Sequence, residues 1–475
     1  MNGANPDDLV DLLGRWASGR GPLYLLLAAR LRALIDDGVL PPGEALPPDR
    51  TFAAKLAVGR GTVVAAYDLL QQEGRVLRRQ GSGTRVALAD LPATRTADGV
   101  VANPLLLNLL HPPDGVRLLT CAAPGEPPKA MFEAYEEAGA RVAGLCDLGY
   151  QPAGVPALRE TLAGYYTARG VPTTAGQIMV TTGAQQALTL LAGLLVSPGD
   201  TVLTESPTYP GALEVFRHAA AVVRPVDLEN PEALRERPAL VYCVPTARNP
   251  DGAIMDNATR RRLAALAAAH DVPLIDDEVC AELCFSGGTP PPVAAFGAGD
   301  QIISVGSLSK LVWGGLRVGW IRAAAPLVSR LSRLRAVHDL GGEVFSQLAA
   351  VALLRRLDEV RADRVRVLRR RHDHLCAELR DRLPSWTFEP ARGGQTVWVR
   401  LPRGEADSFA QVALRHDVAV PPGRSFDPLG GHPRHLRLHF LFPEEELSRA
   451  VADLATAWES YDGAGRPVSR HALVV

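Results

Sequence analysis

The chain has 475 residues, 47% of them hydrophobic and 22% charged, with a formal net charge of -1. That length excludes a single ordinary core and calls for two or three domains, and the composition is that of a soluble globular protein. Averaged over the chain the charge gives no hint of nucleic acid, but residues 15–86 hold 11 Arg and Lys against 6 Asp and Glu, an excess of 5 positive charges (11 minus 6) that attracts phosphate.

The six cysteines, Cys121, Cys146, Cys243, Cys280, Cys284 and Cys376, form no C-x-x-C pair and have no clustered His beside them, so reduced thiols and no metal site are expected. The start of the chain lacks the pattern of a secretory leader, and no apolar stretch approaches the ~20 residues of a membrane span. A cytoplasmic protein follows by default.

Residues 23–37 place Leu23, Leu26, Leu27, Leu31, Leu34 and Ile35 on one helical face. After Pro41-Pro42-Gly43, a short helix opening at Pro48-Asp49 carries Phe52 and Leu56. A turn at Val58-Gly59 leads to a second helix from Arg60 to Gln72, with Val63, Tyr67 and Leu70 facing inward. Two short helices around a tight turn make a helix-turn-helix, and residues 75–86 read as two small strands around a Gly-rich turn, a wing. Arg60, Gly61 and Thr62 open the second helix, where side chains enter a major groove and backbone amides meet phosphate. Arg78, Arg79 and Arg85 supply flanking positive charge.

Residues 87–116 are rich in Pro, Ala and Asp and read as a linker. Beyond them the apolar runs 178–181, 201–204, 239–242, 273–276 and 301–304 predict strands, several separated by helical stretches: an α/β domain with a mostly parallel sheet. After about residue 340, a long Arg-rich helical region precedes strands at 396–399 and 435–440 and a closing helix at 444–458, a smaller α+β unit. The expected domains are therefore 15–86, a linker 87–116, 117–340 and 341–462.

The chain uses Lys only at positions 55, 129 and 310 among 51 basic residues. Lys310 sits in Ser307-Leu308-Ser309-Lys310, just past a strand, among small and apolar neighbours. A desolvated Lys loses its proton and attacks a carbonyl; Arg does not. Other strand ends supply Thr182-Gly183-Ala184-Gln185, opening a helix suited to phosphate; Tyr209, which can stack on a flat ring; Asn249; the acids Asp276-Asp277-Glu278; and Arg317. In that order they describe a site for an aromatic aldehyde phosphate, with an acid to keep a pyridine nitrogen protonated.

Two resemblances follow from these motifs. Ala45-Leu46-Pro47-Pro48-Asp49-Arg50, Leu56-Ala57-Val58-Gly59-Arg60-Gly61-Thr62-Val63, Leu70-Gln71-Gln72-Glu73-Gly74 and Gly81-Ser82-Gly83-Thr84 resemble the GntR-type winged helix-turn-helix. This implies that Arg50, Arg60 and Thr62 contact double-stranded DNA and that Gly83 lets the wing approach the minor groove. Gly59 and Gly61 stand where that family usually has Ser and Thr. From about Leu119 to Trp458 the chain resembles fold-type I pyridoxal-phosphate aminotransferases. The resemblance implies pyridoxal 5'-phosphate as cofactor, Lys310 as the Schiff-base lysine and Asp277 as the partner of the pyridine nitrogen. It further implies Tyr209 as the stacking ring, Asn249 on the ring hydroxyl, and Gly183, Ala184, Gln185, Ser307 and Arg317 on the phosphate. Tyr150 matches a residue that reaches the phosphate of a neighbouring subunit, implying a homodimer, and Arg437 matches the arginine that grips a substrate carboxylate. Val279 stands, in the register set by Asp277 and Glu282, where the family has a Tyr donating to the ring oxygen.

A winged helix joined through a linker to such a domain is similar to the MocR regulators. This implies a transcriptional regulator that senses the cofactor, or an amino acid or amine forming an external aldimine with it. The alternative is a catalytically active aminotransferase carrying a DNA-binding domain: Arg437 favours it, and Val279 and the DNA module weigh against it.

Overall fold

The computed structural model describes residues 6–14, 16–17, 22–41, 43–72, 75–79, 83–87, 115–228, 232–297 and 300–461. The N-terminal part consists of α1 (Pro6–Leu13), α2 (Leu23–Asp36), β1 (Ala45–Leu46), α3 (Asp49–Lys55), α4 (Arg60–Gln72), β2 (Val76–Arg79) and β3 (Gly83–Val86). The strands form an antiparallel sheet in the order β1-β3-β2. Leu27, Leu31, Phe52, Leu56, Val63, Tyr67 and Leu70 are buried together, as the helical spacing requires. Each large apolar side chain in such a core contributes about 1.5–3 kcal/mol. Tyr67 brings a hydroxyl into the core and satisfies it on the Pro47 carbonyl at 3.0 Å. The turn between α3 and α4 is tight because Ala57 adopts a left-handed φ of 52°. The Val58 amide then reaches the Ala53 carbonyl at 3.0 Å.

The second part begins with β4 (Arg117–Leu118), α5 (Lys129–Val142) and α6 (Pro156–Ala168). Strands and helices then alternate: β5 (Ile178–Thr181), α7 (Ala184–Leu195), β6 (Thr201–Thr204), α8 (Pro210–His218), β7 (Val222–Pro225), β8 (Leu240–Cys243), α9 (Asn257–His270), β9 (Leu274–Asp277), β10 (Ile302–Ser307), β11 (Gly319–Arg322) and α10 (Ala325–His338). The seven strands β5 to β11 lie in the order β5-β11-β10-β9-β8-β6-β7, with β11 antiparallel to both neighbours and the remaining pairs parallel. Every residue of β5, β8, β9 and β10 is buried, the pattern of a parallel sheet covered on both faces. The five apolar runs seen in the sequence are strands here, shifted by no more than a residue at their starts. The short β7 and the antiparallel β11 are additional.

The C-terminal part comprises α11 (Val344–Arg355), α12 (Leu357–Arg382), β12 (Thr387–Phe388), β13 (Thr396–Arg400), α13 (Ala406–Arg415), β14 (Val418–Ala419), β15 (His435–His439) and α14 (Glu444–Ser460). Its antiparallel sheet runs β12-β13-β15, and β14 pairs in parallel with β4, which ties this part to the start of the second. Residues 88–114 of the expected linker lie outside the described residues. No described helix is long and apolar enough to cross a membrane, and no group of three potential metal ligands occurs among the described residues.

Candidate active site

Several side chains singled out in the sequence converge where the parallel strands end, the usual position of a site in an open α/β sheet. Lys310 follows β10, and Tyr209 and Asn249 follow β6 and β8. Together with Arg437 of β15 they line one cavity of about 120 Å³, whose wall also includes Thr120, Cys121, Cys280 and Gln395. Lys310 donates from Nζ to the Ala122 carbonyl at 2.5 Å. Burial holds its pKa below that of an ordinary lysine, which makes the neutral, nucleophilic amine more accessible.

Asp277 ends β9 and is 4% exposed. Its Oδ2 accepts from the Tyr242 hydroxyl at 2.7 Å and its Oδ1 from the Val279 amide at 3.0 Å. Burial nevertheless outweighs these donors and raises its pKa to about 6. A buried carboxylate held at that cost gains most from a protonated nitrogen beside it.

Arg437 is 3% exposed, and burial lowers its pKa to about 10. It donates to the Thr120 carbonyl and, at 3.4 Å, to Asn249 Oδ1, and its guanidinium lies 5.1 Å from the centre of the Phe426 ring. Its Nε is buried with no hydrogen-bond partner. An orphaned donor on a desolvated cation is the feature that an incoming carboxylate would satisfy.

At the mouth of α7, Gly183 has a φ of 123°, and a Cβ there would lie 3.0 Å from Arg317 Nη2. The Arg317 guanidinium therefore stands over the helix N-terminus, where amides and dipole favour an anion. Gly319 is required for the same approach, since a Cβ there would come within 2.8 Å of the Gly183 backbone. Ala184 and Gln185 form the first turn, and Gln185 Oε1 accepts from the Tyr209 hydroxyl at 3.2 Å. Ser307 is buried, and its hydroxyl donates to the Val318 carbonyl at 3.0 Å, bracing the turn that carries Lys310. Tyr150 is 64% exposed and does not line the cavity of its own chain.

The structure revises one detail of the sequence reading. Val279 does not line the cavity and meets the site through its backbone amide; Cys280 is the residue facing Lys310. Burial pushes the Cys280 thiol up to about 12, so it is a neutral, weak donor. Cys121, Gln395 and Tyr242 were likewise not anticipated.

A larger cleft of about 610 Å³ borders Glu205, Asp227 and Arg248. Glu205 accepts from the Val244 amide at 2.6 Å and from Arg248 at 3.1 Å, yet burial outweighs these partners and raises its pKa to about 7.

In the N-terminal part, Arg60 opens α4 with its side chain 57% exposed and bound to Asp49 at 2.8 Å. Arg50 and Arg85 are exposed, and Gly83 begins β3 with a φ of 80°. The Thr62 amide caps the turn on the Gly59 carbonyl at 2.9 Å.

Comparison with known proteins agrees with this division. Residues 117–454 match the family Aminotransferase class I and II, and residues 23–86 match the bacterial regulatory proteins of the gntR family. The chain is 29% identical over 458 residues to an uncharacterized HTH-type transcriptional regulator, YisV, of Bacillus subtilis, covering 87% of this chain and 92% of that one. It is 30% identical over 441 residues to a probable rhizopine catabolism regulatory protein, MocR, of Rhizobium meliloti, covering 86% of each. Among solved structures, the α-aminoadipate aminotransferase LysN of Thermus thermophilus, complexed with N-(5'-phosphopyridoxyl)-L-leucine, superposes with a TM-score of 0.66 at 27% identity, covering 75% of this chain and 94% of that one. The chain belongs to the class I and II aminotransferase family, in the MocR-type arrangement that sets a gntR-family helix-turn-helix before that domain.

Proposed function

We propose that the protein is a DNA-binding transcriptional regulator whose aminotransferase domain binds pyridoxal phosphate and senses an amino acid or amine there. The observation that carries this reading is the convergence of Lys310, Asp277 and Arg437 in one buried site, in a chain whose α4 presents Arg60 outward. The residues fit the cofactor: the Gly183 cradle under Arg317 suits a phosphate, and the buried Asp277 suits a ring nitrogen. When bound, the cofactor supplies an aldehyde carbon and an electron-withdrawing ring.

The chain's own groups do the rest. Lys310 presents an amine that burial inclines toward its neutral form, Tyr209 would stack on the ring, and Asn249 would meet the ring hydroxyl. Arg317, Gly183, Ala184 and Gln185 would hold the phosphate end, with Ser307 bracing the lysine turn. Arg437 offers its unpartnered Nε to a ligand carboxylate. Arg50, Arg60, Thr62 and Gly83 meet double-stranded DNA, with exposed arginines on phosphate. Tyr150 is outward in one chain and completes the phosphate site of a second copy, so the working unit is a homodimer acting in the cytoplasm.

The depressed pKa of Lys310 also suits a general base, which keeps a transaminase as the second reading. One experiment separates them: the purified chain is loaded with pyridoxal phosphate and given amino acids with and without a keto acid. A regulator shows a visible spectral change together with altered affinity for the DNA upstream of its gene. Multiple turnovers that leave DNA affinity unchanged overturn the regulatory reading.

A further inference from the structure

The DNA-binding part rests on the C-terminal part through α13 and the residue before it. Arg415, at the end of α13, donates from Nη1 to the Leu56 carbonyl at 3.3 Å and from Nη2 to the Ala57 carbonyl at 3.1 Å. Those carbonyls close α3, the end of a helix that lacks intrahelical donors and carries negative partial charge, so a guanidinium is the group it accepts. The contact is partly buried, and that burial lowers the pKa of Arg415. Beside it, Lys55 reaches Glu405 Oε2 at 3.2 Å, and Trp16 Nε1 donates to Gln411 Oε1 at 3.2 Å. Ala57, the left-handed residue of the helix-turn-helix turn, is 6% exposed and belongs to the core of the aminotransferase domain rather than to that of its own unit.

The same surface continues to the cavity. Glu405 Oε2 lies 3.7 Å from Arg424 Nη2, and Arg424 Nε binds Asp407 at 3.0 Å. Arg424 and Phe426 share one 3-10 turn, Gly423–Phe426. The Phe426 carbonyl accepts the Thr208 amide at 2.8 Å, next to Tyr209, and its ring underlies Arg437 at 5.1 Å. The side chain placed to meet a ligand carboxylate is thus joined by consecutive contacts to Glu405, which holds Lys55 at the end of α3, and Arg415 stands at the far end of the helix α13 that Glu405 precedes. The start of α4 is left open, with the Arg60 side chain 57% exposed.

We propose that Glu405, Gln411 and Arg415 form the docking surface for the helix-turn-helix, and that this surface relays occupancy of the Lys310 cavity to the DNA-binding helices. The relay rests on the function proposed above; the docking does not. A ligand that favours one position of the Gly423–Phe426 turn shifts the attached Glu405 and Arg415 contacts, by no more than its difference in affinity for the two positions.

Hydrogen exchange of the Leu56, Ala57 and Val58 amides in the full chain tests this. Their acceptors are the carbonyls of Phe52, Ala54 and Ala53. Arg415→Ala is expected to accelerate their exchange roughly tenfold while leaving the amides of β5 unchanged; unaltered exchange overturns the docking surface. Lys55→Glu is expected to accelerate it as well, and the paired Lys55→Glu, Glu405→Lys chain to recover slow exchange, so the proposal stays open to refutation even if Arg415→Ala fails to fold. Failure of the pair to recover overturns the ionic contact. Pyridoxal phosphate added to the unsubstituted chain should change exchange at these amides, and Arg415→Ala should abolish that response. A cofactor absorbance band with no change at the turn overturns the relay, whereas absence of the band overturns the proposed function and leaves the docking decided by the variants.

Discussion

The DNA-facing part and the cofactor-facing part use charge in opposite ways. At the start of α4, Arg60 keeps its guanidinium in water beside Asp49, where it can trade one anion for a phosphate at little cost. Lys310 and Arg437 in the cavity and Asp277 beside it are taken out of water, and each has its pKa displaced by burial toward the neutral form. Exposed charge gives long-range attraction with little stability at stake. Buried charge gives specificity for a ligand that brings the missing partner, and it destabilises the empty protein.

Substitutions should therefore separate the two parts sharply. The largest effect is expected for Lys310→Ala: complete loss of the visible absorbance that pyridoxal phosphate develops on the chain, with circular dichroism unchanged. Next, Arg437→Ala should weaken ligands carrying a carboxylate by about 2–4 kcal/mol, roughly 30- to 1,000-fold, as read by spectral titration, while amines without a carboxylate are little affected.

Asp277→Asn should weaken cofactor binding yet raise the melting temperature of the cofactor-free chain. The folded pKa of about 6 lies above the reference of 3.8, so the folded protein carries a desolvated charge above pH 6. That cost, on the order of 1–3 kcal/mol, is complete above pH 6, shrinks as pH falls from 6 to 3.8 and is gone below 3.8, where both states hold the proton. The stabilisation by Asn should follow the same course; a melting temperature lowered equally at pH 4.5 and pH 7.5 would contradict it. The smallest effect belongs to Arg60→Ala. DNA affinity should fall several-fold, and the slope of log affinity against log salt should decrease by about 1, with melting temperature unchanged.

The elements legible in the sequence were those with local causes. Short apolar runs became β5, β6, β8, β9 and β10 because a strand buried on both faces admits few polar residues. Lys310 stood out because the chain almost always uses Arg for positive charge. The left-handed turn at Ala57 lay in a motif whose spacing was readable, although its residue was not Gly.

What was missed depends on contacts between distant segments. Cys121 comes to the cavity from the stretch after β4, Gln395 from just before β13, and Cys280 from the turn after β9. Register along the chain put Val279 in the donor's place, but the backbone after Asp277 turns so that its amide, not its side chain, meets the site. Strand β11 is only four residues long and antiparallel, so no alternation of helix and strand announces it. Arg415 reads in sequence as an ordinary basic residue at a helix end; its partners, Leu56 and Ala57, are about 360 positions away in number and adjacent only in the fold.

The central claim is that the cavity around Lys310 and the DNA-binding face belong to one thermodynamic system. The direct measurement is a titration of the pyridoxal-phosphate-loaded protein with the common L-amino acids, following the visible spectrum and the anisotropy of labelled DNA from upstream of its gene in the same sample. An amino acid that changes the spectrum should change DNA affinity with the same midpoint, and bound DNA should shift the spectral midpoint by the same factor. Neither change should occur in Lys310→Ala. A full spectral change with DNA affinity constant throughout would contradict the account.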